Sequence, residues 1–178
     1  MITSSAGNHA QGVALSAQKL NCKATILMPI TTPLVKINAV KNLNAEVILF
    51  GENYDETYKE AIRLAEIRNL SFIHPFDDPE VIAGQGTIAV EIVNQSKKQP
   101  FAIYVAVGGG GLIAGISIYI KNIWPDVRII GVEPEDANSM SQSLEKLEII
   151  ELESVGQFAD GVAAVSYTHL TLPTTTIV

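Results

Sequence analysis

Short apolar runs alternate with segments of helical periodicity along most of this chain, and this alternation restricts the fold more than any other feature. Residues 24–28 and 101–107 have the length and composition of buried strands. Between such runs, the small and apolar residues from Tyr54 to Ala65 recur at the spacing of one helical face. Because strands separated by helices pair in parallel, the sequence predicts an α/β fold with open parallel sheets and flanking helices.

Turn and cap residues give the limits of the other elements. Pro33 suits the first turn of a helix, and Asn53 followed by Glu56 is typical of a helix start. Glycines are expected to loosen the start of the helix that begins at Ile82. Strands are predicted at 24–28, 46–50, 72–73, 101–107 and 127–132, and helices at 13–20, 34–43, 53–69, 82–95 and 112–121.

Composition excludes several kinds of partner. The formal net charge of -7 disfavours nucleic acid and anionic membranes as partners. No run approaches the roughly 20 apolar residues that a membrane span needs. Cys22 is the single cysteine, which excludes an internal disulfide and favours a reducing compartment. With no signal-peptide pattern at the N-terminus, we expect a cytoplasmic protein.

Four consecutive glycines at residues 108–111 follow a predicted strand and open a predicted helix. Glycines let backbone N–H groups approach a ligand closely, and the positive end of the helix dipole points at the same place. The pattern favours a cradle for a phosphate. A plain flexible turn is the alternative, but it leaves the conformational entropy of four glycines uncompensated.

Two common phosphate motifs fit this loop poorly. A P-loop needs lysine and then serine or threonine after its last glycine, and Ile116 follows Gly115. The dinucleotide fingerprint counted from Gly108 needs a glycine where Ile113 stands. Glu133 does follow the next strand, where a ribose-binding acid would lie. A nicotinamide-dependent oxidoreductase therefore stays an alternative.

A second candidate site is the segment SSAGNHAQG at residues 4–12, which precedes an apolar helical stretch. Ser5 or Asn8 could cap that helix, and such a loop could present N–H groups to a carboxylate. Ordinary capping without a ligand is the alternative interpretation. His9 shows no metal-binding spacing with His74 or His169.

These motifs together resemble the fold-type II pyridoxal-phosphate (PLP) enzymes, a family of threonine dehydratases, serine dehydratases and serine racemases. The resemblance rests on SSAGNHAQG and on VGGGGLIAGI at residues 107–116. It extends to PFDDP at 75–79, IAGQGT at 82–87 and GVEPEDA at 131–137. It covers about residues 2–165, and it is most similar to the biosynthetic threonine dehydratase branch.

The resemblance implies roles for both loops. Asn8 would bind the phenolic oxygen of PLP, and residues 108–112, ending at Leu112, would bind its phosphate. The substrate carboxylate would be held by the loop formed of Ser5, Ala6, Gly7, Asn8 and His9. The implied domains are a small mobile substrate-loop domain at 1–77, part of a large PLP-binding domain at 78–165, and a foreign or disordered tail at 166–178.

The resemblance also implies what this chain does and does not carry. The family's Schiff-base lysine precedes the first loop, and no lysine here lies in such a motif, so we expect an inactive internal piece. The full-length protein, a homo-oligomer, would convert L-threonine to 2-oxobutanoate and ammonia on the way to isoleucine. Serine dehydratase is an alternative within the family.

Two further alternatives stay open. Serine racemases have a proton-exchanging serine where this chain has Ala6, which disfavours racemisation. The isolated chain, if it folds, could also act only as a binding module.

Overall fold

The computed structural model describes residues 1–156, 159 and 161–162, together with the backbone of residues 176–177. The chain divides into two compact units, Met1–Pro75 (unit 1) and Phe76–Val178 (unit 2). Each unit has its own three-stranded parallel sheet, in agreement with the predicted fold class. The functional roles predicted for residues 1–77 and 78–165 stay predictions.

Unit 1 is a parallel sheet with helices packed on both faces. Its elements are β1 (Ile2–Ser4), α1 (Asn8–Lys19), β2 (Thr25–Met28), α2 (Leu34–Lys41), β3 (Glu46–Leu49) and α3 (Tyr54–Ile67). The strands are ordered β1-β2-β3, and a single parallel bridge joins Ile2 to Phe72. The predicted strand at 72–73 is thus reduced to one bridge.

Strand β2 supplies side chains to both faces of this sheet. Ile26 and Met28 pack with α1 and α2, whereas Leu27 packs with Ala61 and Ala65 of α3. Successive side chains of a strand point to opposite faces, so an apolar run suits a strand that is covered on both sides.

The last residue of the helix predicted at 13–20 lies outside both the helix and the core. Leu20 was expected to continue the apolar face of α1, but it is 71% exposed. The helix ends at Lys19, and Asn21 turns the chain with a φ of +53°. The apolar spacing therefore extends one residue beyond the helix that it describes.

Two helices begin at side-chain caps. At α3, Asn53 Oδ1 accepts a hydrogen bond from the Glu56 N–H at 3.0 Å, and Glu56 in turn accepts from the Glu52 N–H at 2.9 Å. This confirms the predicted helix start. In unit 2, Asp78 caps the helix that follows, accepting from the N–H groups of Glu80 and Val81.

Unit 2 contains a second parallel sheet with the order β4-β5-β6. The short helices after β5 were not predicted. The elements are α4 (Pro79–Gln95), β4 (Ala102–Ala106), α5 (Gly111–Ile123), β5 (Arg128–Val132), a 3-10 helix (Glu135–Ala137), α6 (Ser139–Lys146) and β6 (Thr176–Ile177).

The predicted tail at residues 166–178 is described only in part. The backbone of Thr176 and Ile177 pairs in parallel with Ile130 and Gly131 of β5. The other residues of that segment lie outside the described part of the chain. The expectation of a foreign or disordered tail therefore stays a prediction.

Strand β4 corrects one expectation from the sequence. Residues 101–107 were predicted to form a strand buried on both faces. Val105 is 4% exposed and packs in the core of unit 2, but Tyr104 is 68% exposed and Ala106 is also exposed. An apolar run predicts a strand, but it does not reveal whether both faces of that strand are covered.

Helices α4 and α5 touch backbone to backbone. A Cβ atom on Gly86 would lie 3.2 Å from the carbonyl oxygen of Gly115. A Cβ atom on Gly115 would lie 2.6 Å from the amide nitrogen of Gly86 and would also meet the carbonyl oxygen of Ile82. Gly86 and Gly115 permit close helix packing. The expectation that glycines loosen the start of this helix is wrong, since α4 begins earlier, at Pro79.

Within the described residues, none of the helices combines the length and apolarity that crossing a membrane requires.

Candidate functional site

The glycine loop lies between the carboxyl end of β4 and the first turn of α5. The Val107 N–H donates to the carbonyl oxygen of Val132 at 3.0 Å, which carries sheet pairing up to the loop. Gly110 is the N-cap of α5, with a φ of +91° in the left-handed region that favours glycine. No side chain of the described residues caps this helix. The amides of its first turn therefore suit an oxyanion ligand.

Phe76 packs directly against this loop. A Cβ atom on Gly109 would meet the aromatic ring of Phe76, and a Cβ atom on Gly111 would lie 2.6 Å from its carbonyl oxygen. A Cβ atom on Gly108 would lie 3.2 Å from Cα of Val162. Packing within unit 2 thus requires a small residue at these positions before any ligand is considered. This contact could not be predicted from local sequence patterns, because Phe76 precedes the loop by a whole helix and strand.

Leu112 completes the predicted cofactor-binding segment. Its side chain is partly buried and packs against the core of unit 2. Its N–H belongs to the first turn of α5, whereas its side chain serves packing. Any role for Leu112 toward a phosphate is therefore one for its backbone.

The first loop in unit 1 has the same construction. The Ser5 N–H continues the sheet by donating to the carbonyl oxygen of Leu27 at 3.1 Å. Gly7 is the N-cap of α1, and its N–H donates to Ser5 Oγ at 3.1 Å. No side chain of the described residues caps α1, so the expectation that Ser5 or Asn8 caps it directly is wrong. Ala6 is partly buried and Asn8 is exposed.

Ser4, at the end of β1, is a polar residue in the core. Its side chain is fully buried, and Ser4 Oγ has no hydrogen-bond partner among the described residues. Buried hydroxyl groups usually have a partner, so an unpartnered one next to a candidate binding loop is consistent with a polar ligand there.

His9 is tied to β1 and to the segment beyond α3. The Thr3 hydroxyl donates to the carbonyl oxygen of Ile73 at 2.7 Å and lies 3.0 Å from His9 Nε2. Because a hydroxyl has one hydrogen, His9 must be the donor toward Thr3. Burial lowers the pKa of His9, the Ile73 carbonyl raises it, and positive charge on His74 lowers it; the net shift is downward. The sequence placed His9 in the loop but missed this anchoring role of its side chain.

Glu133 holds the start of α6. Its half-buried carboxylate accepts hydrogen bonds from the N–H groups of Met140 at 3.1 Å and Ser141 at 2.9 Å. Burial raises the pKa of Glu133, and these two hydrogen bonds lower it by less. These contacts give Glu133 a structural role at the start of α6, which accounts for this residue without the ribose-binding role of the nicotinamide alternative.

The chemistry of both loops fits a ligand that carries oxyanions. Each loop follows the carboxyl end of a parallel strand and opens a helix whose N-cap is a glycine without a side-chain cap in the described part of the chain. Backbone N–H donors at a helix N-terminus suit a phosphate or a carboxylate. Elsewhere among the described residues, no three His, Cys, Asp or Glu side chains are grouped so as to hold a metal ion.

Fold and loops together define a class: α/β proteins with helix N-termini suited to anions at the ends of parallel strands. The family model of pyridoxal-phosphate dependent enzymes matches residues 1–175. The chain belongs to this family, in agreement with the resemblance in its motifs.

Within this family, the chain is similar to biosynthetic threonine dehydratases. The chain is 60% identical over 163 residues to the biosynthetic, chloroplastic threonine dehydratase of Arabidopsis thaliana, covering 92% of this chain and 28% of that protein. It is 52% identical over 166 residues to the biosynthetic L-threonine dehydratase of Burkholderia multivorans, covering 92% of this chain and 33% of that protein.

The fold is also similar to that of a solved threonine deaminase. The processed form of threonine deaminase isoform 2 from Solanum lycopersicum superimposes with a TM-score of 0.93 at 48% identity. The match covers 100% of this chain and 51% of the solved chain. The chain thus spans about half of that structure and about a third of the curated relatives.

Proposed function

We propose that this chain is part of an enzyme that converts L-threonine to 2-oxobutanoate and ammonia with pyridoxal phosphate, a step toward isoleucine. The observation that carries the proposal is the 60% identity to the threonine dehydratase of Arabidopsis thaliana over 163 residues. The fold and the two anion-binding loops support it, since a PLP enzyme must hold both a cofactor phosphate and a substrate carboxylate.

The glycine loop is assigned to the cofactor phosphate. The donors would be the amides of residues 108–112 at the N-terminus of α5, and the left-handed Gly110 shapes the turn that presents them. When bound, PLP supplies an electron sink that stabilises negative charge on the substrate Cα. Asn8 is assigned to its phenolic oxygen; the Asn8 side chain is exposed and so free to face a ligand.

The loop of residues 5–9 is assigned to the substrate carboxylate. Ser5 Oγ already accepts a hydrogen bond from the Gly7 N–H, which leaves the hydroxyl hydrogen of Ser5 for a carboxylate oxygen. The amides of Asn8 and His9 open α1 at its positive end. His9 would act through its backbone toward the substrate, while its side chain holds the loop against Thr3.

Ala6 favours elimination over racemisation. Inversion at Cα needs a group that returns a proton to the opposite face of the substrate, and the methyl group of Ala6 cannot exchange a proton. Elimination of the β-hydroxyl as water, followed by hydrolysis that takes up a water molecule and releases ammonia, is therefore preferred to formation of the D-isomer. A serine racemase is therefore less favoured than a dehydratase for this chain.

Two further assignments stay predictions. The lysine that removes the α-proton is expected outside this chain, since none of its lysines lies in the family's lysine motif. A cytoplasmic location is expected from composition alone. The Arabidopsis thaliana relative is named chloroplastic, so the compartment of the full-length protein depends on its source.

A chimera tests the proposed function. The segment of the Burkholderia multivorans enzyme that matches this chain is replaced by the chain's own sequence, and release of 2-oxobutanoate from L-threonine is measured alongside pyruvate from L-serine. A second chimera carries the matching Arabidopsis thaliana segment as the control. Activity with L-threonine in both chimeras is expected. A chimera of this chain that folds and binds PLP, but is inactive with L-threonine while the control is active, overturns the proposal.

A further inference from the structure

One aromatic side chain covers the glycine loop in unit 2. The ring of Phe76 occupies the space that a Cβ atom on Gly109 would need. The backbone of the same residue lies against Gly111, where a Cβ atom would be 2.6 Å from the Phe76 carbonyl oxygen and 3.0 Å from its Cα. Phe76 therefore contacts two of the four consecutive glycines.

Phe76 lies two residues before the capped start of α4. Asp78 caps this helix through the N–H groups of Glu80 and Val81, at 2.8 and 3.2 Å. The backbone contact of Gly86 with Gly115 then joins α4 to α5, the helix that the glycine loop opens. Phe76 thus contacts the loop itself, and the crossing of α4 and α5 restrains the helix that the loop opens.

We propose that Phe76 is a positioning residue that preorganises the glycine loop for a phosphate. The inference rests on the proposed cofactor role of this loop. Four glycines without a covering side chain would sample many backbone conformations, and a ligand would have to order them on binding. Contact with Phe76 removes much of that freedom in advance, and it also explains why glycine stands at 109 and 111 as well as at the left-handed position 110.

The binding test uses the 178-residue chain with pyridoxamine 5′-phosphate, which lacks the aldehyde and so cannot react with surface lysines. Phe76→Ala should weaken its binding about tenfold, because the loop must be ordered by the ligand. Binding of pyridoxamine, which lacks the phosphate, should be the same in both proteins. Phe101→Ala is the matched control, since Phe101 is 79% exposed and its ring lies against the Arg128 guanidinium.

The outcomes separate the two proposals. Absence of phosphate-dependent binding by the unsubstituted chain overturns the cofactor role of the loop, and the role of Phe76 with it. Phosphate-dependent binding that Phe76→Ala leaves unchanged overturns only the role of Phe76. If Phe76→Ala does not fold, Phe76→Leu takes its place, and unchanged affinity in that variant also contradicts the inference.

A double-mutant cycle tests the contact itself. Gly109→Ala alone should lower the free energy of unfolding, because its new methyl group meets the Phe76 ring. In the Phe76→Ala background that penalty should shrink, so the two substitutions should be less than additive. Additive effects would show that the ring does not determine the conformation of Gly109.

Discussion

The Thr3 hydroxyl lies 3.0 Å from Nε2 of His9 and donates its single hydrogen to the carbonyl oxygen of Ile73. This arrangement makes His9 the donor through Nε2, which excludes the neutral tautomer with its hydrogen on Nδ1. It connects the first turn of α1 to β1 and to a segment 70 residues away from Thr3. The position of the candidate substrate loop thus depends on the hydrogen bond between the His9 side chain and Thr3 of β1.

The stability of the folded chain should depend on the titration of His9. The pKa of His9 lies below its usual 6.5 in the folded state, chiefly because of burial. A lowered pKa means that stability is fully present above the unfolded pKa and is lost as pH falls through the folded pKa. The free energy of unfolding, measured with urea, should therefore decrease as pH falls below about 6.5.

His9→Gln tests the source of that decrease. Glutamine can still donate to Thr3, but it does not titrate, so the variant should lose part of the pH dependence. His74→Gln is the comparison, because it removes the neighbouring positive charge that lowers the pKa of His9, together with the ring contacts of His74 with Tyr58 and Phe72. An unchanged pH dependence in His9→Gln would assign the titration to another group.

Thr3→Val should destabilise the chain by about 1–3 kcal/mol, because it removes the short hydrogen bonds of the Thr3 hydroxyl. His9 Nε2 and the Ile73 carbonyl oxygen then keep only their own longer contact of 3.4 Å. Thr32→Val is a matched control, since Thr32 Oγ1 is buried without a partner among the described residues. That control should be neutral or stabilising. Urea unfolding of both variants checks this, and equal losses would mean that the Thr3 hydrogen bonds contribute nothing particular.

Gly115→Ala should destabilise unit 2 by about 1–3 kcal/mol, because its methyl group would be forced into the backbone of α4. Gly84→Ala should instead stabilise it by about 0.5–1 kcal/mol, since Gly84 lies within α4 with open space at its Cβ position. Thermal unfolding of the two variants is the measurement. A tolerated Gly115→Ala would show that α4 and α5 are not in backbone contact.

Ala6→Ser, made in the active chimera, should raise racemisation relative to elimination, because a hydroxyl can exchange a proton where a methyl group cannot. The increase should be small, since a proton donor also needs supporting groups. Chiral chromatography of the remaining threonine, which would show D-allo-threonine, is combined with measurement of 2-oxobutanoate. If the alanine form already racemises as fast as it eliminates, the elimination assignment fails.

The isolated 178-residue chain should show no turnover of L-threonine or L-serine, because the lysine that removes the α-proton is expected outside it. Keto-acid release is measured with and without added PLP, and the active chimera is the positive control. Release that depends on PLP and exceeds the reaction without protein would mean that a lysine of this chain performs the chemistry.

Substitutions in the glycine loop show how the structure changes an expectation from sequence. The sequence predicts that a bulky residue at Gly109 or Gly110 disturbs cofactor binding more than folding. The Phe76 ring beside Gly109 and the φ of +91° at Gly110 mean that folding should suffer as well. Affinity measured on such variants must therefore be compared with their stability.

The sequence by itself determined the parallel α/β architecture, the strands β2, β3 and β5, and the capped start of α3 at Asn53. These features are local, because apolar spacing and cap residues report the backbone conformation of their own segment. It also located both candidate loops, since a glycine or a small polar cluster between a strand and a helix is a local pattern.

Only the tertiary structure decided what those loops and side chains contact. Phe76 beneath Gly109, Glu133 at the start of α6, the exposed Tyr104 and the Thr3–His9 pair all depend on elements that meet in space. Burial and hydrogen bonding are set by which segments pack together. The hydrophobic periodicity of one segment does not indicate which other segments pack against it.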